Sequence, residues 1–460
     1  MKSKIPGTKT LNNLLGKLST GSASAMLDGM MEMAGHTGAE AERFGSVNYI
    51  KITIFGFALA ALWASLHTII LPIRLLDFVA ESQKNTYLGL LTFAGLLLAI
   101  AVQPIAGAIS DRSGFSWGRR RPYILIGTLL SLLFLPGLGL CSGYIVLFAI
   151  YCLIQISSNT AQAPYQAFIP DLVPDGKRGL ASGVKSLLEI LGGVILLYPV
   201  AFFIDRYFAG EGAYWLWLAL GVLAIVLLGA MIATMVMVRE KPGAGGFPLP
   251  SFSALYNTFK IDIRANRDFI WFLVSRLLML MAFTTLQTFA LYFLRDVVGV
   301  TSPAAATAKF SIVAVVGMLA IVYPAGRLSD RIGRRPILVT SGLLSALGIS
   351  LIFLFQQSYV LIILCGGLIG ISFGAFMSTN WALAIDLVAK GEEARYLGLT
   401  NLATAGGAAL ARLIGPLIDF CNNYGLNLGY QVMLSACFVY FVAGSLLLLK
   451  IRVSGQPEVG

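Results

Sequence analysis

Residues 107–112 read GAISDR and lead into GRRRP at 118–122; residues 326–331 read GRLSDR and lead into GRRP at 333–336. Pro122 and Pro336 stand 214 residues apart. Asp171 and Asp386, each followed by Leu-Val, stand 215 apart, and Asp205 and Asp419 stand 214 apart. An offset that holds from 122 to 205 marks a chain that repeats itself once. Around these marks the sequence is a series of apolar runs, at 50–74, 86–110, 122–141, 144–168, 180–203 and 214–238, then 269–294, 305–328, 336–356, 359–385, 396–420 and 430–452. A helix crosses the hydrocarbon core with about 20 apolar residues, so each run is long enough. Continuous runs exclude a membrane β-barrel, whose strands alternate in about ten-residue segments. The expected fold is an all-α membrane protein with twelve transmembrane helices in two pseudo-symmetric six-helix bundles.

Composition agrees. Of 460 residues, 57% are hydrophobic and 12% charged, with a mean hydropathy of +0.81. A soluble domain carries roughly 25% charged residues, so this chain lacks the charge to solvate its own surface. A net charge of +11 would suggest nucleic acid in a soluble protein; here it fits basic cytoplasmic loops, and no nucleic acid is expected. The arginines and lysines gather after spans 2, 4, 6, 8 and 10, as in Arg119–Arg121, Lys177 and Arg178, Arg264 and Arg267, Arg331–Arg335, and Lys390 and Arg395. Both termini are therefore expected in the cytoplasm. The chain divides into a tail (1–48), a first bundle (49–240), a linker (241–268), a second bundle (269–452) and a short tail (453–460). Within the first tail, Met26–Met33 is read as part of a mobile segment. The five cysteines are scattered and there are two histidines, so neither a disulfide framework nor a metal site is expected. No cofactor is implied, and no GxxxxGK[ST] loop is present, so ATP-driven pumping is not expected. An enzyme is not expected either, because the loops are too short for a catalytic domain.

The doubled G-x-x-x-D-R…G-R-R signature is similar to that of the major facilitator superfamily. SDRSGFSWGRRRP at 110–122 resembles the sucrose-transporter branch. NTAQAPYQAFIPD at 159–171 resembles it too, along with the glycoside–pentoside–hexuronide symporters. The resemblance covers residues 50–452. It implies a secondary transporter that moves a sugar with a cation. The proton is the expected cation and a monomer the expected state, and the lack of a cleavable signal fits a bacterial plasma membrane.

Charged residues at the ends of spans read as a gate. Asp111, Asp171, Asp330 and Asp386 fall at helix C-termini, where the helix dipole disfavours a carboxylate by roughly 0.3–1 kcal/mol. Compensation is expected from Arg112, Arg119, Arg120, Arg121, Arg331, Arg334 and Arg335, or from the N-terminus of a helix in the other half. Such pairs would shut the cytoplasmic face in one state and part in the other.

Polar groups inside the spans mark a candidate solute path, because charges there are costly and usually line a cavity. On span 4, Gln155, Asn159, Gln162 and Gln166 form one stripe at helical spacing. Each amide both donates and accepts, which suits a polyol. Trp63, Tyr165 and Trp381 are candidates to stack on a sugar face. Arg276 and Gln287 on span 7, Asn380 on span 10, and Asn401 and Arg412 on span 11 complete the set. Lys185 and Glu189 on span 5 are i, i+4 neighbours. Glu189 is the acid read as lying well inside a span and is the candidate proton carrier; His67 is the second candidate coupling group. Lys185, Arg276 and Arg412 outnumber that acid, which favours a rival solute class: an anion such as a sugar acid or an organic phosphate. A non-transporting receptor or assembly factor is the alternative of a different kind.

Overall fold

The computed structural model describes residues 46–240, 266–387 and 393–451. The readings placed on residues 1–45, on the 241–265 part of the linker with Arg264, on Lys390, and on the 453–460 tail lie outside these residues. Twelve helices long and apolar enough to cross a membrane follow one another: α1 Val47–Leu76, α2 Glu81–Asp111, α3 Arg121–Leu140, α4 Tyr144–Leu172, α5 Asp175–Phe208, α6 Tyr214–Met237, α7 Arg267–Asp296, α8 Pro303–Ile332, α9 Arg334–Leu354, α10 Tyr359–Asp386, α11 Tyr396–Asn422 and α12 Leu428–Leu448. The described residues contain no strand.

Several helices outrun their apolar stretch. Helix α5 spans 34 residues and α8 spans 30. At 1.5 Å per residue, thirty residues reach about 45 Å, beyond a hydrocarbon core of about 30 Å. The surplus is polar at both ends, and there the side chains can meet water or each other. The outer surface is apolar: Leu133, Ile145 and Ile225 are 67%, 81% and 71% exposed. In lipid that exposure carries no penalty.

The packing repeats as the sequence does. Helix α1 packs on α5 and α6, and α7 packs on α11 and α12. Helices α2 and α3 pack on α4, and α8 and α9 pack on α10. Small residues set the closest crossings. A Cβ on Gly192 of α5 would lie 2.0 Å from the Phe57 carbonyl oxygen of α1, and one on Gly370 of α10 would lie 2.0 Å from that of Ala314 on α8. Only glycine lets backbones approach so near. The two motif glycines, Gly118 and Gly333, both take positive φ (123° and 93°), which turns the chain sharply before each arginine cluster.

Three helices are jointed. Helix α1 carries a π-turn at Leu66–Ile70, α5 is interrupted at Leu196, and α11 at residues 413–414. Their outer segments are among those through which the two halves meet: α5 on α8, α2 on α11, and the π-turn of α1 on α7 and α8. Gly370→Ala should lower the thermal stability of the solubilised protein by about 1–3 kcal/mol through overpacking. Gly221→Ala, where nothing lies within 4 Å of the new Cβ, should leave it unchanged. Melting curves of the two variants check this.

Candidate functional site

Halfway along the bundle a cavity of about 160 Å³ is lined by Trp63 and His67 of α1, Thr92, Leu96, Ala99 and Gln103 of α2, Gln155, Asn159 and Gln162 of α4, and Arg412 of α11. Helical spacing puts the α4 amides on one face, and the structure ties them into a chain. The Gln103 amide donates to Asn159 Oδ1 at 2.7 Å, and Asn159 Nδ2 donates to Gln155 Oε1 at 2.9 Å. Gln155 Nε2 donates to the Tyr151 hydroxyl at 2.7 Å, which lies 2.9 Å from His67 Nε2. The His67 ring stacks on Trp63 with centroids 5.0 Å apart. Such a chain fixes amide orientation before any solute arrives. Gln166, the last of the stripe, is exposed beyond the cavity lining.

A second polar cluster lies in the other half. Arg276, 3% exposed, donates to Asn380 Oδ1 and, through Nε, to Thr404 Oγ1 at 3.0 Å. Its guanidinium also sits 5.5 Å from the centre of the Trp381 ring. Gln287 and Asn401 are exposed and are not among the residues lining the cavity. Lys185 and Glu189 pair at 3.4 Å, with Lys185 over the Tyr165 ring and Glu189 against Gly56 of α1.

Beyond the cavity, at the end away from the arginine loops, two carboxylates bridge the halves. Asp205 at the tip of α5 accepts the backbone N–H groups of Ala304 and Ala305 at 2.9 and 2.8 Å. Asp419 at the tip of α11 accepts those of Asn85 and Thr86 at 3.4 and 2.6 Å. In both cases the donors are the second and third residues of an α-helical run, Pro303–Ile332 and Lys84–Asp111. Neither run is capped by the side chain of its own N-cap residue. Each helix thus receives from the opposite half the carboxylate that its unfilled N–H groups and positive dipole end favour. Around the α2–α11 contact, Lys84 pairs with Asp296 at 2.6 Å, Arg295 with Glu81 at 2.6 Å, and the Tyr430 hydroxyl donates to Asp296 at 2.5 Å. Where α2 crosses α11, Gly89 packs on the Arg412 carbonyl and Gly415 on that of Asn85.

Among the described residues, the ion pairs seen at the arginine-rich end lie within one half. Asp171 meets Arg119 at 2.7 Å and Arg120 at 2.9 Å; Arg120 also meets Asp111 at 2.5 Å. Arg334 meets Asp386 at 2.9 Å. Of the four carboxylates at helix C-termini, Asp111, Asp171 and Asp386 thus meet neighbouring arginines. Arg121 donates to the carbonyls of Trp117 and Met235, and Arg335 to that of Leu449. Arg112 is half-buried, while Asp330 and Arg331 are exposed at the end of α8. Glu240, just past α6, accepts the N–H groups of Arg120 and Arg121. Burial pushes its carboxyl above the usual carboxylate range, and those two amides pull against the shift.

Sequence reasoning passed over Gln103, Tyr151 and Thr92, which sit on apolar helices without a stripe to announce them. It used Asp205 and Asp419 only as markers of the repeat, although two acids at equivalent helix ends were a visible signal of shared chemistry.

Residues 54–448 match the MFS/sugar transport protein family. A stretch of 141 residues, 29% of this chain and 31% of the relative, is 30% identical to the minor myo-inositol transporter of Bacillus subtilis (strain 168). A stretch of 192 residues, 35% of this chain and 35% of the relative, is 28% identical to a sucrose transport protein of Oryza sativa subsp. japonica. The chain thus covers about a third of the length of each of these relatives. A crystal structure of a D-xylose-proton symporter shares the fold, with a TM-score of 0.66 over 88% of this chain and 98% of that one, at 17% identity. With twelve helices arranged as a repeated six and a family match that begins in α1 and ends in α12, the chain is an integral, multi-pass membrane protein that belongs to the MFS/sugar transport protein family of the major facilitator superfamily, a family of transporters and not of enzymes.

Proposed function

We propose that this protein is a secondary active transporter that moves a small polyhydroxylated solute, a sugar or glycoside, by alternating access and with a coupled proton. One observation carries the reading: a cavity walled by mutually hydrogen-bonded amides and the Trp63 ring sits between two halves whose outer tips are bridged by Asp205 and Asp419. Amides satisfy hydroxyls that donate and accept at once, and an aromatic face suits the apolar face of a sugar ring. The names of relatives, a myo-inositol transporter and a sucrose transport protein, point to the same solute class. Both termini lie in the cytoplasm in this reading, which the excess of arginine and lysine in alternate loops supports. With the outer tips bridged and the arginine pairs confined to single halves, the described state is the one that faces the cytoplasm.

In this reading the two carboxylate caps are the outer latch. Closing each stabilises the state by about 1 kcal/mol, the usual worth of an N-terminal cap. Opening outward breaks both, and the inner rims that carry Asp111, Asp171 and Asp386 with their arginines then come together across the seam. Glu189 takes up the proton; neutralised, it releases Lys185 and changes the charge facing α1 and α4. The name of the structural neighbour, a D-xylose-proton symporter, favours a proton over other cations.

Purified protein in proteoliposomes should accumulate a labelled sugar or glycoside when a pH gradient is applied. Indifference to every sugar in a broad panel would sink the reading. Glu189→Gln should abolish gradient-driven accumulation while solute exchange at equal pH continues. Should His67→Gln do so instead, the proton is carried on α1. For the latch, Asp205→Asn and Asp419→Asn should each raise outside labelling of a cysteine placed at Thr92 about fivefold, and the double variant more. The reaction is measured with an impermeant maleimide in a background free of the five native cysteines.

A further inference from the structure

The joints of α5 and α11 stand at comparable places in the two halves, but the π-turn of α1 has no partner in α7. Helix α7 is one unbroken α-helical run, Arg267–Asp296, without a proline. In α1, Pro72 follows directly on the π-turn Leu66–Ile70 and the first residue of the next run, Leu71. Proline brings no N–H to the turn before it, and in an α-helix its ring would strike the carbonyl four residues back, that of Thr68. A widened turn relieves the clash. The Leu71 N–H reaches back five residues, to the Leu66 carbonyl.

This joint touches both the cavity and the other half. His67 within it lines the cavity, stacks on Trp63 and lies 2.9 Å from the Tyr151 hydroxyl. Leu66, Ile69 and Ile70 are fully buried, and the turn packs on α7 and α8. Just beyond it, the buried Tyr292 hydroxyl of α7 donates to the Pro72 carbonyl at 2.8 Å. The Tyr292 ring lies 5.4 Å from Lys84 Nζ, which pairs with Asp296 across the seam. Ser65, the residue before the turn, is fully buried, and its hydroxyl has no hydrogen-bond partner. Helical serine and threonine hydroxyls commonly bond the carbonyl one turn back, as Thr53 does to Tyr49 and Thr92 to Leu88. A buried hydroxyl left unmatched is costly, and at a joint it points to a second winding in which it is matched.

We infer that Pro72 is a positioning residue for alternating access: it sets the π-turn, and the turn ties the cavity at His67 to the outer seam at Tyr292. In the described state the turn is wide, Tyr292 holds the Pro72 carbonyl and Ser65 is unmatched. When the outer face opens, the Tyr292 bond parts, the turn rewinds before Pro72 and Ser65 gains a carbonyl partner. His67 then moves with the seam. This rests on the reading of the described state as the one that faces the cytoplasm.

Outside labelling of Thr92→Cys in full-length protein tests this, in the cysteine-free background carrying Asp205→Asn so that opening is measurable. Tyr292→Phe keeps the ring and should raise the labelling rate about fivefold, the worth of one hydrogen bond. Pro72→Ala should raise it comparably, and the double variant no further, because both act through one joint. Two independent contacts would multiply to about twenty-five-fold. Ser65→Ala should lower the rate, a sign that a loosened fold would not give. At the cavity end, His36→Gln protein with carbon-13-labelled histidine carries one imidazole, that of His67, and Pro72→Ala should shift its resonance. An unchanged rate in Tyr292→Phe overturns the inference. So does multiplication in the double variant, a rate that does not fall in Ser65→Ala, or an unmoved His67 resonance. If Asp205→Asn and Asp419→Asn both fail to raise labelling over the unaltered latch, the cytoplasm-facing reading falls and the inference with it. Tyr292→Phe decides even where Pro72→Ala does not fold.

Discussion

Two carboxylates, each borrowing the first turn of a helix from the other half, hold this molecule in the shape described. Asp205 on α8 and Asp419 on α2 satisfy four backbone N–H groups that no side chain of their own helix caps. Where water is scarce an unmet N–H is expensive, so the caps are favourable only while the halves stay together. That makes them reversible by construction. Each is worth about 1 kcal/mol, the usual contribution of a carboxylate at a helix N-terminus.

The cavity depends on this seam. Nearly all of its wall comes from one half, whose amides, tyrosine and histidine are locked in a hydrogen-bonded chain. The other half contributes Arg412 beside the glycine crossing that closes the seam. The cluster around Arg276 is different in kind. Its charge is spread over neutral partners and an aromatic ring, which fits a supporting part of the second half. Buried Arg74 is another such support: it donates to the Leu138 carbonyl at 3.0 Å and to the Tyr207 hydroxyl at 2.6 Å, and so ties α1 to α3 and α5.

The arginine-rich loops show how one motif serves two ends. Arg120 meets both Asp111 and Asp171, and its backbone, with that of Arg121, is capped by Glu240 from beyond α6. Gly118 makes this possible, since a Cβ there would lie 2.1 Å from the Glu240 carboxylate oxygen. The inner rim of the first half is therefore a self-contained ionic unit. The matching unit in the second half is simpler, with Arg334 on Asp386 and Arg335 on the Leu449 carbonyl just past the last helix.

What the sequence determined by itself was everything that follows from the solvent and from periodicity. Twelve long apolar runs can only be helices in hydrocarbon, a constant offset of 214 or 215 can only be a duplication, and amides at i, i+4 and i+7 on α4 must share a face. What tertiary structure alone decided was pairing. Lys185, Arg276 and Arg412 look alike along the chain, yet one meets an acid, one meets neutral side chains and one turns back on a carbonyl of its own helix, because that depends on which helices cross and where. Asp205 and Asp419 likewise show only their spacing in the sequence. Their partners are backbone groups, which every residue has, so no side-chain signal could point to them until the halves were brought together.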